Sequence, residues 1–283
     1  MIEGRDLHLA CAFLVTEGAV MSPPAPFAVK DRLDPARAMA LAATLGRPLP
    51  QGTLPPFWHH AYFWDAQPPE RLGRDGHPKV GIGAIPDLGL PRRMWAGGAL
   101  DWSVPMRLGE VSEKTTVCLS AERKTGRSGP LGLVQLEHVV SQDGRVAVRE
   151  RQDLVYREAA DPTATPPTPP DAGTAPVEEA RHYDPVTLFR FSALTFNGHR
   201  IHYDVEYARR VEGHAGLVVH GPLLAEGLID LATRHLGPLS RFSYRATAPL
   251  FAGEMAVFCL DGTRAFVRGP DGRLCMTSEA EAA

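Results

Sequence analysis

Cysteine is scarce in this chain. Cys11, Cys118, Cys259 and Cys275 are scattered over 283 residues, with no C-x-x-C and no Cys/His metal spacing. Such usage excludes a disulfide framework or a cysteine-built metal site, and suits a reducing cytosol where thiols behave as small hydrophobes. Long apolar runs are also missing: none approaches the ~18–20 residues needed to span a bilayer. Leu7 to Val15 could pass for a signal-peptide core, but the preceding MIEGRD sets one Arg against Glu and Asp, so the positive leader is absent. The expected location is cytoplasmic. Nor is there an excess of basic charge. The net charge is -3, which excludes a global field for nucleic acid and leaves room for a local basic pocket.

Proline is plentiful and concentrated. Ala159 to Pro176 holds six prolines and no large apolar residue, so it reads as an extended linker that buries nothing. The chain then divides into an N-terminal extension (1–27), a first half (28–158), the linker (159–176) and a second half (177–283). In the first half, Asp34 to Leu45 has helical spacing, with Asp34 as N-cap, Pro35 in the first turn and Gly46 as a stop. Residues 55–69, aromatic and proline-rich, show no usable period. From Trp95 to Arg157 the pattern is β throughout, with Asp143-Gly144 as a hairpin turn. In the second half, residues 221–236 are apolar on most of their circumference and predict a buried helix about 24 Å long at 1.5 Å per residue. Four strands follow, the last two joined at Pro270-Asp271-Gly272.

Two turns recur in the same order. Pro105-x-x-x-Gly109-Glu110 is echoed by Pro249-x-x-x-Gly253-Glu254, and Asp143-Gly144-Arg145 by Asp271-Gly272-Arg273. This order points to duplication of one antiparallel unit. A curved sheet wrapped on a helix hides that helix, and two units paired at their edges leave fewer open strands.

The segment with chemical content is FSALTFNGHRIHYDVEYA (191–208), followed by His220-Gly221. Phe191, Leu194, Thr195, Ile201, His202, Asp204 and Ala208 hold the register of the MaoC-type (R)-specific enoyl-CoA hydratases, which the segment resembles. The family's catalytic aspartate falls on Asn197, its asparagine on His199 and its proline on Arg200. Together with LPPFWHHAYFWD (54–65), LPRRMWAGG (90–98) and RQDLVYR (151–157), this variant resembles one branch. That branch contains the mesaconyl-CoA and itaconyl-CoA hydratases and the mitochondrial-type hydroxyacyl-thioester dehydratases.

The resemblance implies an α+β double hot dog, two curved antiparallel sheets each wrapped on a central helix. It implies a hydro-lyase that adds water reversibly to a 2-enoyl-CoA, with the branch pointing to mesaconyl-CoA or itaconyl-CoA and citramalyl-CoA as product. Neither metal nor organic cofactor is expected, coenzyme A being part of the substrate. No nucleic acid or membrane partner is expected, and a homodimer is allowed without being required.

Hydration needs an acceptor for a water proton, a donor to the α-carbon, and hydrogen bonds to the thioester oxygen where enolate charge builds. His202 is the candidate acceptor, since neutral imidazole can take a proton at pH 7. By family analogy, Gly221 aims its backbone N–H at the thioester oxygen. Asn197 cannot be a base but can align the water. If a second ionisable group is needed, His199 is the nearest in sequence and Asp204 the next, although Asp204 reads better as a helix N-cap.

Plainer readings stand beside these. His199 and His220 suit packing as well as chemistry. Arg200 could pair a substrate carboxylate or lie on the surface. Arg92, Arg93, Arg241 and Arg245 could meet the coenzyme A phosphates or simply be solvated. Trp95 and the run Phe57 to Trp64 would wall the acyl pocket. His59-His60 and Asp75-Gly76-His77 hint at metal, but no further ligands accompany them at suitable spacing. The first half has no counterpart of the Asn197–His202 register, so one active site per chain is expected. Three rival activities remain open: a dehydratase acting on carrier-protein thioesters, a thioester-binding protein without turnover, and a thioesterase using Glu226.

Overall fold

The computed structural model describes residues 24–126, 129–160 and 167–283. The Leu7 to Val15 segment, Cys11, nearly all of the expected N-terminal extension and the middle of the proline-rich stretch lie outside the described residues.

The first unit comprises β1 (Phe27–Arg32), α1 (Pro35–Leu45), β2 (Arg92–Trp102), β3 (Val111–Gly126), β4 (Gly129–Gln142) and β5 (Arg145–Arg157). The second comprises β6 (Val177–His182), α2 (Pro185–Leu194), α3 (Val205–Arg210), α4 (Gly221–Leu236), β7 (Leu239–Ala246), β8 (Met255–Asp261), β9 (Arg264–Arg268) and β10 (Leu274–Ala282). All strands join one sheet in the order β1-β3-β4-β5-β2-β7-β10-β9-β8-β6. Read inward from either edge, the order is the same, so the two halves are copies of one unit joined through antiparallel β2 and β7.

The echoed turns occupy equivalent places. The Gly109 N–H donates to the Leu33 carbonyl at 2.7 Å, and the Gly253 N–H to the Tyr183 carbonyl at 3.0 Å. Leu33 and Tyr183 each precede an Asp-Pro helix start. Asp34 caps α1 by accepting from the Ala36 N–H at 2.9 Å, and Asp184 caps α2 by accepting from the Thr187 N–H at 2.7 Å.

The halves differ on the concave face. The expectation of a central helix in each is met only in the second, where α4 packs on β7 to β10. Leu223, Leu224, Leu228 and Leu231 of α4 are buried, each worth roughly 1.5–3 kcal/mol relative to exposure. The core therefore fixes where α4 begins. In the first half the corresponding space is taken by Phe57, Trp58, Tyr62 and Phe63 on an irregular segment with two short helical turns. The end of the proline-rich stretch also departs from expectation. Ala172 is buried against Cys259, Phe266 and Leu274, and the Leu274 N–H donates to the Pro170 carbonyl at 2.8 Å. A small residue beside a glycine can lie flat on a sheet, and the Ala172 N–H is satisfied by the Gly272 carbonyl at 2.9 Å.

Candidate active site

A cavity of about 710 Å³ is lined by both halves, including Asn197, His199, His202 and Gly221 from the second and Trp95 from the first. Its chemistry begins at the loop between α2 and α3. The Asn197 side-chain oxygen accepts the His199 N–H at 3.0 Å, closing a local turn after Phe196, whose φ is 51°. A short helical turn, Arg200–His202, follows. Asp204 then caps α3 by accepting the Tyr207 N–H at 3.0 Å.

His202 is held by backbone. Its Nδ1 lies 2.7 Å from the Val218 carbonyl and donates to it, which leaves the Nε2 lone pair free. That nitrogen has no protein partner among the described residues and is not among the buried unpartnered atoms, so it opens on the cavity that His202 lines. The His220 ring stacks behind at 3.6 Å between centroids. Burial, with the charges of His77 and His214, pulls His202 down to about 3 against the raising effect of the Val218 carbonyl. It is therefore a neutral hydrogen-bond acceptor at pH 7.

Val218 also ties this loop to α4, since its N–H donates to the Ile201 carbonyl at 2.9 Å. Gly221 opens the helix, where the first N–H groups have no intrahelical acceptor and the dipole favours negative charge. Trp95 lies flat against it: a Cβ at position 221 would fall 2.5 Å from Trp95 Cε3. Trp95 is turned inward at a β-bulge, where β2 carries one extra residue between Trp95 and Gly97.

Two expected substrate contacts are corrected. Arg200 does not line the cavity: its guanidinium donates to Asp204 at 2.7 Å and to the Arg74 carbonyl at 3.2 Å, and it covers the Tyr207 ring at 4.3 Å. The i, i+4 spacing to Asp204 captures it locally. His220 is fully buried behind His202, with Nε2 2.8 Å from the Ser192 hydroxyl. It supports the His202 ring rather than touching the cavity. Arg245 does line the cavity and has no carboxylate partner among the described residues. Arg92 is closed on Glu212 at 2.6 Å, and Arg241 on Asp101 at 3.1 Å. Glu226 is buried between Trp58 and Arg47 and does not line the cavity, so the thioesterase reading loses its carboxylate.

This arrangement sits in a chain whose residues 57–252 match the family described as hydroxyacyl-thioester dehydratase type 2. The chain belongs to that family. It is an enzyme of the hydro-lyase class, a hydratase or dehydratase of acyl thioesters. It is 42% identical over 268 residues to the mesaconyl-C(4)-CoA hydratase of Chloroflexus aurantiacus, covering 89% of this chain and 94% of the relative. The mitochondrial hydroxyacyl-thioester dehydratase type 2 of Schizosaccharomyces pombe is 26% identical, over 83% of this chain and 90% of its own. Among solved structures, HtdX of Mycobacterium tuberculosis superposes with a TM-score of 0.66 at 17% identity, covering 92% of this chain and 100% of that one. A second Mycobacterium tuberculosis protein, described as having a double hotdog fold, gives 0.55 at 16% identity over 94% and 95% of the two chains. The fold is the double hot dog.

In this chain the first half contributes more than a wall. Lys114, Thr116, His138, Glu150 and Gln152 line the same cavity with His59 and His60. Thr116, His138 and Glu150 are cross-strand neighbours on β3, β4 and β5. Glu150 accepts from His59 at 2.8 Å and from His60 at 3.1 Å. Burial works to raise the Glu150 pKa, but the two imidazoles hold it well below the usual carboxylate range. Burial lowers Lys114, opposed by the charges of Glu150 and Asp65. Among the described residues the Lys114 Nζ makes one hydrogen bond, 3.3 Å to the Phe63 carbonyl. An ammonium has three donors.

The sequence reading passed over Lys114, His138 and Glu150. The available signal was phase: His138 alternates with Val134, Leu136 and Val140, and Glu150 with Val148, Leu154 and Tyr156, all facing the core. Two triads, His59/His60/Glu150 and Asp75/His77/His199, bring ligand-type atoms within 4.8 Å of one another. In the first, Glu150 accepts from His59 and His60; in the second, Asp75 accepts from His77 Nδ1, so these three ring nitrogens serve as donors to the charged carboxylates.

Proposed function

We propose that this hydro-lyase hydrates a short, branched, dicarboxylic 2-enoyl-CoA of the mesaconyl-C(4)-CoA kind, giving a citramalyl-type thioester. The observation that carries the reading is that one cavity holds both the His202 lone pair beside Gly221 and a half-buried cation, Lys114, with donors to spare among the described residues. A charge held partly out of water without a full set of partners favours an anionic ligand, and a second carboxylate on the acyl group supplies one. The 42% identity to a mesaconyl-C(4)-CoA hydratase supports the same substrate class.

In this reading the Gly221 N–H donates to the thioester oxygen as negative charge develops there, aided by the α4 dipole. His202 holds the nucleophilic water through Nε2 and turns its oxygen toward the β-carbon. Asn197 and His199 line the same cavity, and Arg245 is one of the cations on its wall that can meet a coenzyme A phosphate. The thioester acidifies the α-position, so no further cofactor enters the scheme.

The test is a substrate panel with purified protein: mesaconyl-C(4)-CoA, itaconyl-CoA, crotonyl-CoA, and a long-chain 3-hydroxyacyl thioester on coenzyme A and on a carrier protein. A preference of at least tenfold in kcat/KM for a dicarboxylic substrate is expected. Preference for the carrier-bound long chain would overturn the substrate assignment in favour of a fatty-acid dehydratase. Hydration of none would leave only thioester binding.

A further inference from the structure

Asn197 carries no ionisable group, and its side-chain oxygen is turned back onto the His199 N–H, so it offers His202 no carboxylate partner. The structure brings another carboxylate and imidazole to that place from the opposite half of the chain. Residues 72–78 form a closed loop, with Leu72 bridged to Pro78 and the Gly73 N–H donating to the His77 carbonyl at 2.7 Å. The loop is fastened to the Asn197–His202 segment. The Arg200 N–H donates to the Asp75 carbonyl at 2.8 Å, and Gly76 lies so close that a Cβ there would be 2.0 Å from the Gly198 carbonyl oxygen. With φ at 89°, position 76 admits only glycine.

This docking fixes His77 at the cavity, with Asp75 beside it. Both carboxylate oxygens of Asp75 are engaged by His77, one with its backbone N–H at 3.1 Å and the other with ring Nδ1 at 3.1 Å. The Nδ1 proton therefore faces Asp75, and Nε2 carries a lone pair on a ring that lines the cavity. The His77 ring is 4.5 Å from that of His199, which is 5.5 Å from that of His202.

Resting on the hydro-lyase reading, we propose that His77, oriented by Asp75, is a further catalytic residue: it carries the proton between water and the α-carbon. The two imidazoles at the site differ in what backs them. His202 is backed by a neutral carbonyl and a stacked His220 ring, so its cation is poorly stabilised. His77 is backed by a carboxylate, which stabilises imidazolium as it forms. During hydration the water oxygen bonds to the β-carbon while its O–H bond breaks toward His77 Nε2. The C=C π pair moves onto the α-carbon and thioester oxygen. The imidazolium N–H bond then breaks as the Cα–H bond forms. One water is added, the imidazole is returned neutral, and no co-reactant is consumed.

The test uses the full chain and three variants, Asp75→Asn, His77→Gln and His202→Ala, each checked for an unchanged thermal melt. The first measurement is steady-state hydration across pH 5–9. The second is exchange of α-hydrogens for deuterium on a saturated acyl-CoA matched to the substrate, which reports proton carriage without water addition. The charged and titratable groups facing the Asp75–His77 pair are Arg93 on β2, Tyr156 on β5, and His199, His202 and Tyr203 from the second half. Asp75→Asn is expected to lower kcat by about 100-fold, with KM within threefold, and to move the acid limb of kcat/KM to lower pH. His77→Gln should remove that limb and abolish exchange. His202→Ala should lose hydration but keep exchange.

Exchange and an acid limb unchanged in His77→Gln would overturn the assignment while leaving the hydro-lyase intact. Loss of wild-type activity in EDTA, restored by zinc, would overturn it too by making Asp75, His77 and His199 a metal site. Wild-type protein that hydrates no enoyl thioester would instead sink the hydro-lyase reading itself.

Discussion

Placing a methyl group at position 221 tests the thioester-binding end of the site. In Gly221→Ala the new Cβ would lie 2.5 Å from Trp95 Cε3 and 2.9 Å from Cζ3. Carbon atoms rest at about 3.5–4.0 Å, so either the indole or the helix start must yield by roughly 1 Å. The indole has little room. It stacks on Tyr244 with centroids 4.4 Å apart, and Tyr244 is itself buried. The helix is pinned by its leucines. Overpacking of this kind costs about 1–3 kcal/mol, which for a chain of this size lowers the melting temperature by roughly 2–10 °C. A 1 Å shift of the amide also removes it from the thioester oxygen, and loss of one such donor costs about 100- to 1,000-fold in kcat. The assay is kcat and KM for hydration, with a melt on the same preparation. A second variant, Gly221→Ala with Trp95→Ala, relieves the overlap and should regain stability. Should Gly221→Ala melt like wild type and keep kcat within twofold, the amide of residue 221 is not where charge develops.

His202→Ala should lower kcat by roughly 100- to 1,000-fold with little change in KM, since the ring holds water rather than the thioester; equal losses in both would point to a structural role. Lys114→Met should raise KM for a dicarboxylic substrate by at least tenfold, a change of about 1.4 kcal/mol, and leave crotonyl-CoA within threefold; parallel losses on both substrates would remove the carboxylate assignment. Acid should weaken the fold from about pH 6.5 downward rather than from the carboxylate range. Burial holds His138 and His214 down to about 4 and His202 to about 3, against an ordinary value of 6.5. Below 6.5 the unfolded chain takes up protons that the folded chain refuses, so their contribution is complete above 6.5 and lost as pH falls toward 3–4. Each fully engaged histidine gives a slope of about 1.4 kcal/mol per pH unit. A melting temperature that stays flat from pH 7 to pH 5 would contradict the burial of these rings.

Periodicity and turn chemistry carried much of the fold. Asp34-Pro35 with Gly46, Asp143-Gly144 and the apolar circumference of residues 221–236 act through neighbours in sequence, so a local reading finds α1, the β4–β5 hairpin and α4. The repeated Pro-x-x-x-Gly-Glu turns marked the duplication for the same reason. The resemblance to the MaoC-type register singled out His202 and Gly221, because a loop running into a helix keeps its order along the chain. Which side chains meet across the cavity is another matter. Lys114, His138 and Glu150 come together because three strands pair in a register set by distant backbone hydrogen bonds. Asp75 and His77 reach the Asn197 loop across more than a hundred residues of chain, and Arg200 leaves the cavity because Asp204 captures it. Local rules place an element and its phase; only the folded chain settles which charges share a wall, since Coulombic and hydrogen-bond contacts depend on distance in space.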